Sequence, residues 1–215
     1  EVDKEFRHLD GTLTTSLTIT ASRETEQTKQ PPGEGAIMDR ILHCGVIDSG
    51  SGEPLVRKLS KSQKRGVRTL IINSLDEFFI FGSQATLLVH YPEQTMEGIQ
   101  ILQHILQPEV TYLAVYEQSF HLLRENAAIP DSVSTIPLRA KHPQHKEPLL
   151  VSALTGQEYP LESSPLELGI ASFSLETAFT LARVIQQNQP DTEKPFTVLA
   201  PEPEDQRNLI VPLGT

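Results

Sequence analysis

From Leu55 to Gln187 the chain alternates short apolar runs with longer stretches of helical period, and few folds accommodate that order. Thr69-Leu70-Ile71-Ile72-Asn73 reads as a buried strand, preceded by a helix over Leu55 to Arg68 for which Gly66 is the natural stop. Ser83 to His90 and Pro92 to Leu106 read as helices, the second with Met96, Ile99, Leu102, Ile105 and Leu106 facing inward. Val110 to Tyr116, Ser132 to Ile136 and Leu168 to Ser172 read as further strands. Gln118 to Asn126, Pro148 to Ala153 (stopped by Gly156) and Leu175 to Gln187 read as helices. The last of these sets Ala178, Leu181, Ala182 and Ile185 on one face. Parallel strands pair only through crossovers, so the expectation is an α/β fold, a mainly parallel sheet with helices on both faces. Phe196 to Leu199 and Leu209 to Leu213 are candidate final strands.

Residues 1–35 have another character. Thr12 to Thr20 alternates Thr and Ser with Leu13, Leu17 and Ile19, as a half-exposed strand would, and Arg23 to Gly35 is a polar linker through Pro31-Pro32-Gly33. Residues 1–35 therefore read as the end of an upstream β-rich domain plus linker, and 36–215 as the α/β domain. Ile37, Met38, Ile41 and Leu42 share a helical face and predict a short helix at its start. The chain starts at Glu1 and reads as a piece of a longer protein. A net charge of −10 argues against general nucleic-acid binding, and no apolar run reaches the length of a membrane span. The single cysteine, Cys44, excludes an internal disulfide and a cysteine-ligated iron–sulfur cluster within these residues; it reads as core filling and suits a reducing compartment.

Candidate chemistry gathers between Gly45 and Asn73. Glycines at 45, 50 and 52 let the backbone take positive φ and turn N–H groups toward one point. Ser49 and Ser51 add hydroxyls and Lys58 a mobile cation, a set suited to cradling a phosphate, although Asp48 and Glu53 place negative charge in the same loop. The strand that follows delivers Asn73 and the Asp76-Glu77 pair to its carboxyl end, where open α/β sheets bind ligands. Phe78-Phe79 beside that pair is either an aromatic wall for a ring-shaped ligand or core packing. Arg57, Lys58, Lys61, Lys64, Arg65 and Arg68 form a basic helix face, solvated or used for docking. His142 and His145 flank Pro143-Gln144, which breaks a zinc-type helical spacing and places them on a surface loop.

Several longer blocks occur in a fixed order. Leu70-Ile71-Ile72-Asn73 is followed by Glu97-Gly98-Ile99-Gln100-Ile101-Leu102. Lys141-His142-Pro143-Gln144 comes next, with Glu147 and Ala153-Leu154-Thr155-Gly156-Gln157-Glu158 then Pro160. Gly169 to Ala182 carries Thr177-Ala178, and the chain closes on Leu213-Gly214-Thr215. From about Ile37 to Thr215 these blocks resemble the C subunit of the bacterial Rnf electron-transport complex, a family related to the flavin-bearing NADH-oxidising subunit of respiratory complex I.

The resemblance implies a Rossmann-like domain of the complex I flavin-subunit type and an FMN held by a glycine-rich loop. Carried over position by position, the cofactor residues would be Gly50, Gly52, Lys58, Asn73, Asp76 and Thr177. Lys58, the loop amides and Thr177 would take the phosphate, and Asn73 and Asp76 the ring or ribitol. It also implies 4Fe–4S clusters bound only outside these residues, partner subunits of an electron-transport complex, and NADH or ferredoxin as carriers. The place implied is the bacterial cytoplasm, peripheral to the membrane through those partners.

The loop departs from the family pattern. Ser51-Gly52-Glu53 replaces its glycine pair and neighbours, and Ser174 and Glu176 replace an asparagine and a glycine near the expected phosphate. Glu53 and Glu176 would repel that phosphate. Three readings follow: a flavin module; a scaffold of the same fold that has lost FMN, which the departures favour; and a binding module walled by Phe78, Phe79 and Phe81.

Overall fold

The computed structural model describes residues 2–7, 13–17, 34–77, 82–126, 129–160, 162–187, 190–200, 202 and 205–213. The chain divides after Gln30 into two compact units. In the first, β1 (Val2–Arg7) and β2 (Leu13–Leu17) pair antiparallel, with a register shift between Asp3 and Glu5.

The second unit runs through α1 (Glu34–His43), α2 (Leu55–Arg65), β3 (Thr69–Asn73), α3 (Ser83–His90), α4 (Pro92–Leu106), β4 (Val110–Tyr116) and α5 (Glu117–Asn126). It continues with β5 (Ser134–Leu138), α6 (Glu147–Thr155), a 3-10 turn at Pro165–Leu168, β6 (Ile170–Ser174), α7 (Leu175–Gln187), β7 (Glu193–Val198) and β8 (Arg207–Pro212). Strands β3 to β6 form one parallel sheet in the order β5-β4-β3-β6. The chain leaves β3 for β4 on one side, and β6 returns to the other side of β3. The order therefore reverses between β3 and β6, which makes their carboxyl ends the topological switch point of the sheet. Asn73, last in β3, stands in register with Ser174, last in β6.

Side chains alternate along each strand and so feed two cores. Leu70, Ile72, Leu113, Val115, Ala171 and Phe173 pack with α1 to α5 and α7 on one face. Ile71, Ala114, Tyr116 and Ile170 pack with Leu150 and Val151 of α6 on the other. The reversal of strand order accounts for this division, since crossovers of one hand place their helices on opposite faces when the direction changes. Within the thicker layer α4 and α7 meet backbone to backbone at Gly98. A Cβ there would lie 1.8 Å from the Ala178 carbonyl oxygen, so only glycine fits without the helices separating.

Several expectations shift in register. Helix α1 buries Ile37 and Ile41 but leaves Leu42 58% exposed, so its inward stripe is narrower than the sequence suggested. Strand β5 starts at Ser134 rather than Ser132, and β6 at Ile170, because Leu168 closes the 3-10 turn. The two C-terminal strands pair with each other, antiparallel, and add nothing to the parallel sheet. The proposed wall of Phe78, Phe79 and Phe81 lies outside the described residues.

Candidate functional site

The segment between α1 and α2 is a tight hairpin laid against the switch point. Asp48 N–H donates to the Glu53 carbonyl at 2.9 Å, Leu55 N–H to Val46 at 2.8 Å, and Gly52 N–H to the Asp48 carbonyl at 2.7 Å. Gly52 closes this turn at φ +71°, a conformation that disfavours any side chain. Gly45 also takes positive φ, whereas Gly50, expected to need that freedom, does not.

Asp48 is the centre of the hairpin. Its side chain is fully buried and accepts four hydrogen bonds. Thr177 Oγ1 donates to Oδ1 at 2.8 Å; Lys58 Nζ at 2.7 Å, Ser51 Oγ at 2.6 Å and Ser51 N–H at 3.0 Å donate to Oδ2. Lys58 Nζ also stands 4.6 Å from the centre of the Phe173 ring, a cation over an aromatic face. Burial alone would raise the Asp48 carboxyl, but the Lys58 ammonium and the hydrogen bonds from Lys58, Ser51 and Thr177 outweigh it and hold the group below its ordinary value.

A second tier of hydroxyls continues from this carboxylate. Thr177 spends its one hydrogen on Asp48, so its oxygen accepts from Ser49 N–H at 3.0 Å and from Ser174 Oγ at 2.8 Å. Ser174 accepts in turn from Thr177 N–H at 3.0 Å, capping the start of α7, and from Ser49 Oγ at 2.5 Å. The network thus bridges residues 129 apart in sequence and ends on one anion at the amino end of a 13-residue helix. That is a favourable place for negative charge.

Gly50, Gly52, Lys58 and Thr177, expected as a group, are therefore together, gathered around Asp48. Asn73 is beside them in register, but its side chain is committed elsewhere: Nδ2 donates to the His145 carbonyl at 3.0 Å and Oδ1 accepts from Leu75 N–H at 3.0 Å. Asp76 lies further along, where Oδ1 accepts from Ser83 Oγ at 2.6 Å and Gln84 N–H at 3.4 Å and so secures the start of α3. Burial raises the Asp76 carboxyl despite those bonds.

Of the two glutamates expected to repel phosphate, Glu53 is tied outward to Lys61 at 2.5 Å and Arg57 at 3.4 Å. Glu176 lies 3.8 Å from Lys194; burial raises its carboxyl, with Asp191 and Asp48 pushing the same way against Lys194.

A cleft of about 450 Å³ opens beside the hairpin, between α2 and the Ser164–Glu167 segment. Lys58, Lys61, Lys64 and Arg65 line one wall, and Glu147 also faces it. Burial raises the Glu147 carboxyl against the pull of Lys58 and of a hydrogen bond from Tyr159 Oη at 3.4 Å. Neither Glu147 nor the centrality of Asp48 was anticipated. Their signals were an acid inside a Gly/Ser loop ten residues before a lysine, and a glutamate heading a helix within a matched block. His142 is exposed as expected. His145 is half-buried, and its ring nitrogens have no hydrogen-bond partner among the described residues. Among the described residues no cluster of three or more His, Cys, Asp or Glu could hold a metal ion.

The same geometry tests the fit of FMN. A phosphate monoester in this loop would draw on Lys58, Thr177, Ser51 Oγ and the Ser51 amide, and all of these already point at Asp48. With the Asp48 carboxylate in place the loop does not fit a second anion.

Fold and loop together define a doubly wound α/β domain with a hairpin built around a buried carboxylate at its switch point. The chain belongs to the Nuo51 FMN-binding domain family, matching it over residues 41–183. Its relatives include subunits C of ion-translocating oxidoreductase complexes. That of Pasteurella multocida is 25% identical over 97% of this chain and 26% of its own length. That of Salmonella gallinarum is 28% identical over 84% and 27%, and that of Buchnera aphidicola 24% over 83% and 36%. The chain thus spans about a quarter to a third of the curated relatives it matches. Among solved structures, an air-oxidised NAD+-reducing NiFe hydrogenase superposes with a TM-score of 0.67 at 17% identity, over 85% of this chain and 37% of that one. The H2-reduced form gives 0.60 at 18% identity, over 72% and 31%. The likeness to both is one of fold.

Proposed function

We propose that this chain is a domain of an electron-transport complex subunit, of the ion-translocating oxidoreductase type, that keeps the flavin-domain fold without FMN and docks partner subunits. The occupied hairpin carries this reading: Asp48 uses the donors that would bind the phosphate, and Glu176 adds a second carboxylate beside it. Family membership supports the setting. Electrons between carriers such as NADH or ferredoxin would then pass through groups bound outside these residues, which hold one cysteine. No helix of the described residues is long and apolar enough to cross a membrane, in keeping with a peripheral cytoplasmic position held through partners. For docking, α2 offers the exposed cations Lys64 and Arg65, with Arg68 just beyond; none forms an ion pair among the described residues, whereas Arg57 and Lys61 share Glu53.

The test is a titration of the full-length protein with FMN, followed by flavin fluorescence. The expected result is no saturable quenching up to high micromolar FMN. Saturable binding, with flavin absorbance retained after gel filtration, would overturn the reading and restore a flavin module.

A further inference from the structure

We propose that Asp48 is a tethered stand-in for an anionic ligand: the hairpin remains an anion-binding site, and the chain supplies the anion itself. The inference rests on the reading above only in taking the loop to hold no flavin.

The donors around Asp48 come from three separated parts of the chain: Ser51 in the hairpin, Lys58 on α2 and Thr177 on α7. A carboxylate needed only to shape a turn would be satisfied by the Ser51 contacts. This one also neutralises a lysine with just 13% of its side chain exposed and fixes the hydroxyl tier of Ser49, Ser174 and Thr177. These donors converge on a space the size of a carboxylate, at a helix amino end. They are of the kind that binds small oxyanions, namely amide N–H, hydroxyl and ammonium groups. Because the anion is part of the chain, the hairpin is satisfied at any external ligand concentration. Removing it takes from the Lys58 ammonium its hydrogen-bonded counter-ion and vacates the pocket, and inorganic phosphate or formate is then the group that fits. Space for it comes from the side chain removed and from Gly50, at which an added Cβ would lie 3.6 Å from Asp48 Oδ2 and from Ser174 Cβ.

Thermal melts of the whole chain at constant ionic strength, in chloride and in phosphate or formate, test this. The wild type is expected to melt at the same temperature in each buffer. Asp48→Gly should melt lower in chloride and recover with phosphate or formate in a saturable manner. Its phosphate affinity should be at least about tenfold above the wild type by titration calorimetry. Asp48→Gly with Lys58→Ala should lose that response. Asp48→Asn, which removes the charge but keeps the volume, should be destabilised and unresponsive. Should Asp48→Gly be unfolded in chloride, recovery of its helical circular dichroism in phosphate becomes the readout. Phosphate acting equally on wild type and Asp48→Gly, or failing to rescue Asp48→Gly in either assay, would overturn the proposal. Either failure leaves the flavin question untouched, since that is read on the wild type with FMN.

Discussion

Lys58 and Asp48 meet where each depends on the other. Lys58→Met would leave a buried carboxylate without its counter-ion, a change that costs about 3–5 kcal/mol. The pH dependence follows from the Asp48 carboxyl, which lies below its ordinary value in the folded chain. Its stabilising contribution is therefore complete above the unfolded value of about 4 and is lost as pH falls through the folded value. In Lys58→Met the opposing effect of burial prevails, so the variant regains stability relative to wild type on acidification. Urea midpoints at pH 7 and below pH 4 should show a wide gap that narrows. A gap independent of pH would mean that Lys58 contributes through packing on Phe173 rather than through charge. Asp76, Glu147 and Glu176 work in the opposite sense. Burial raises each, so each weakens the fold above its ordinary value, and that loss is recovered as the pH drops toward it.

At the scale of elements, the contact between α4 and α7 is the least forgiving. Gly98→Ala would press a methyl into the Ala178 carbonyl, backbone against backbone, with no flexible side chain to yield. The expected loss is at least about 1–3 kcal/mol, read as a lower urea midpoint. A midpoint equal to wild type would show that α4 can slide on α7. This contact also marks what the sequence could and could not reveal. Strands β3 and β4 and helices α3, α4 and α7 were legible to the residue, because an apolar run or a 3.6-residue stripe is local information. Helix α4 announced its inward face through Met96, Ile99 and Leu102, but nothing local said that Gly98 would touch another backbone. The antiparallel pairing of β7 with β8 lay likewise beyond what either strand shows alone, and the later start of β6 was set by the 3-10 turn that Leu168 closes. The site divided the same way. Gly52, Lys58 and Thr177 could be singled out one by one, whereas the Asp48–Thr177 bond joins positions no loop composition relates. The family pattern singles out Glu53 and Glu176, whereas the acid inside the cradle is Asp48.

For the whole molecule, the arrangement of charge bears on partners. The chain carries a net −10, yet the end of α2 is a local concentration of exposed cations. If α2 guides docking, Lys64→Glu with Arg65→Glu should slow association with partner subunits and weaken its salt dependence while leaving the melting temperature unchanged. Surface plasmon resonance at two ionic strengths would measure this, and unchanged rates would assign the cations to solvation alone.

Strand β3 is hydrogen-bonded to β4 on one side and β6 on the other, whereas among the described residues the β7–β8 ribbon has no further strand beside it. Deuterium placed in solution should therefore enter the backbone at very different times. The amides of Leu70, Ile71 and Ile72 exchange only when the entire domain opens, and so report its global stability directly. Those of the ribbon exchange through local opening, well before the sheet loosens.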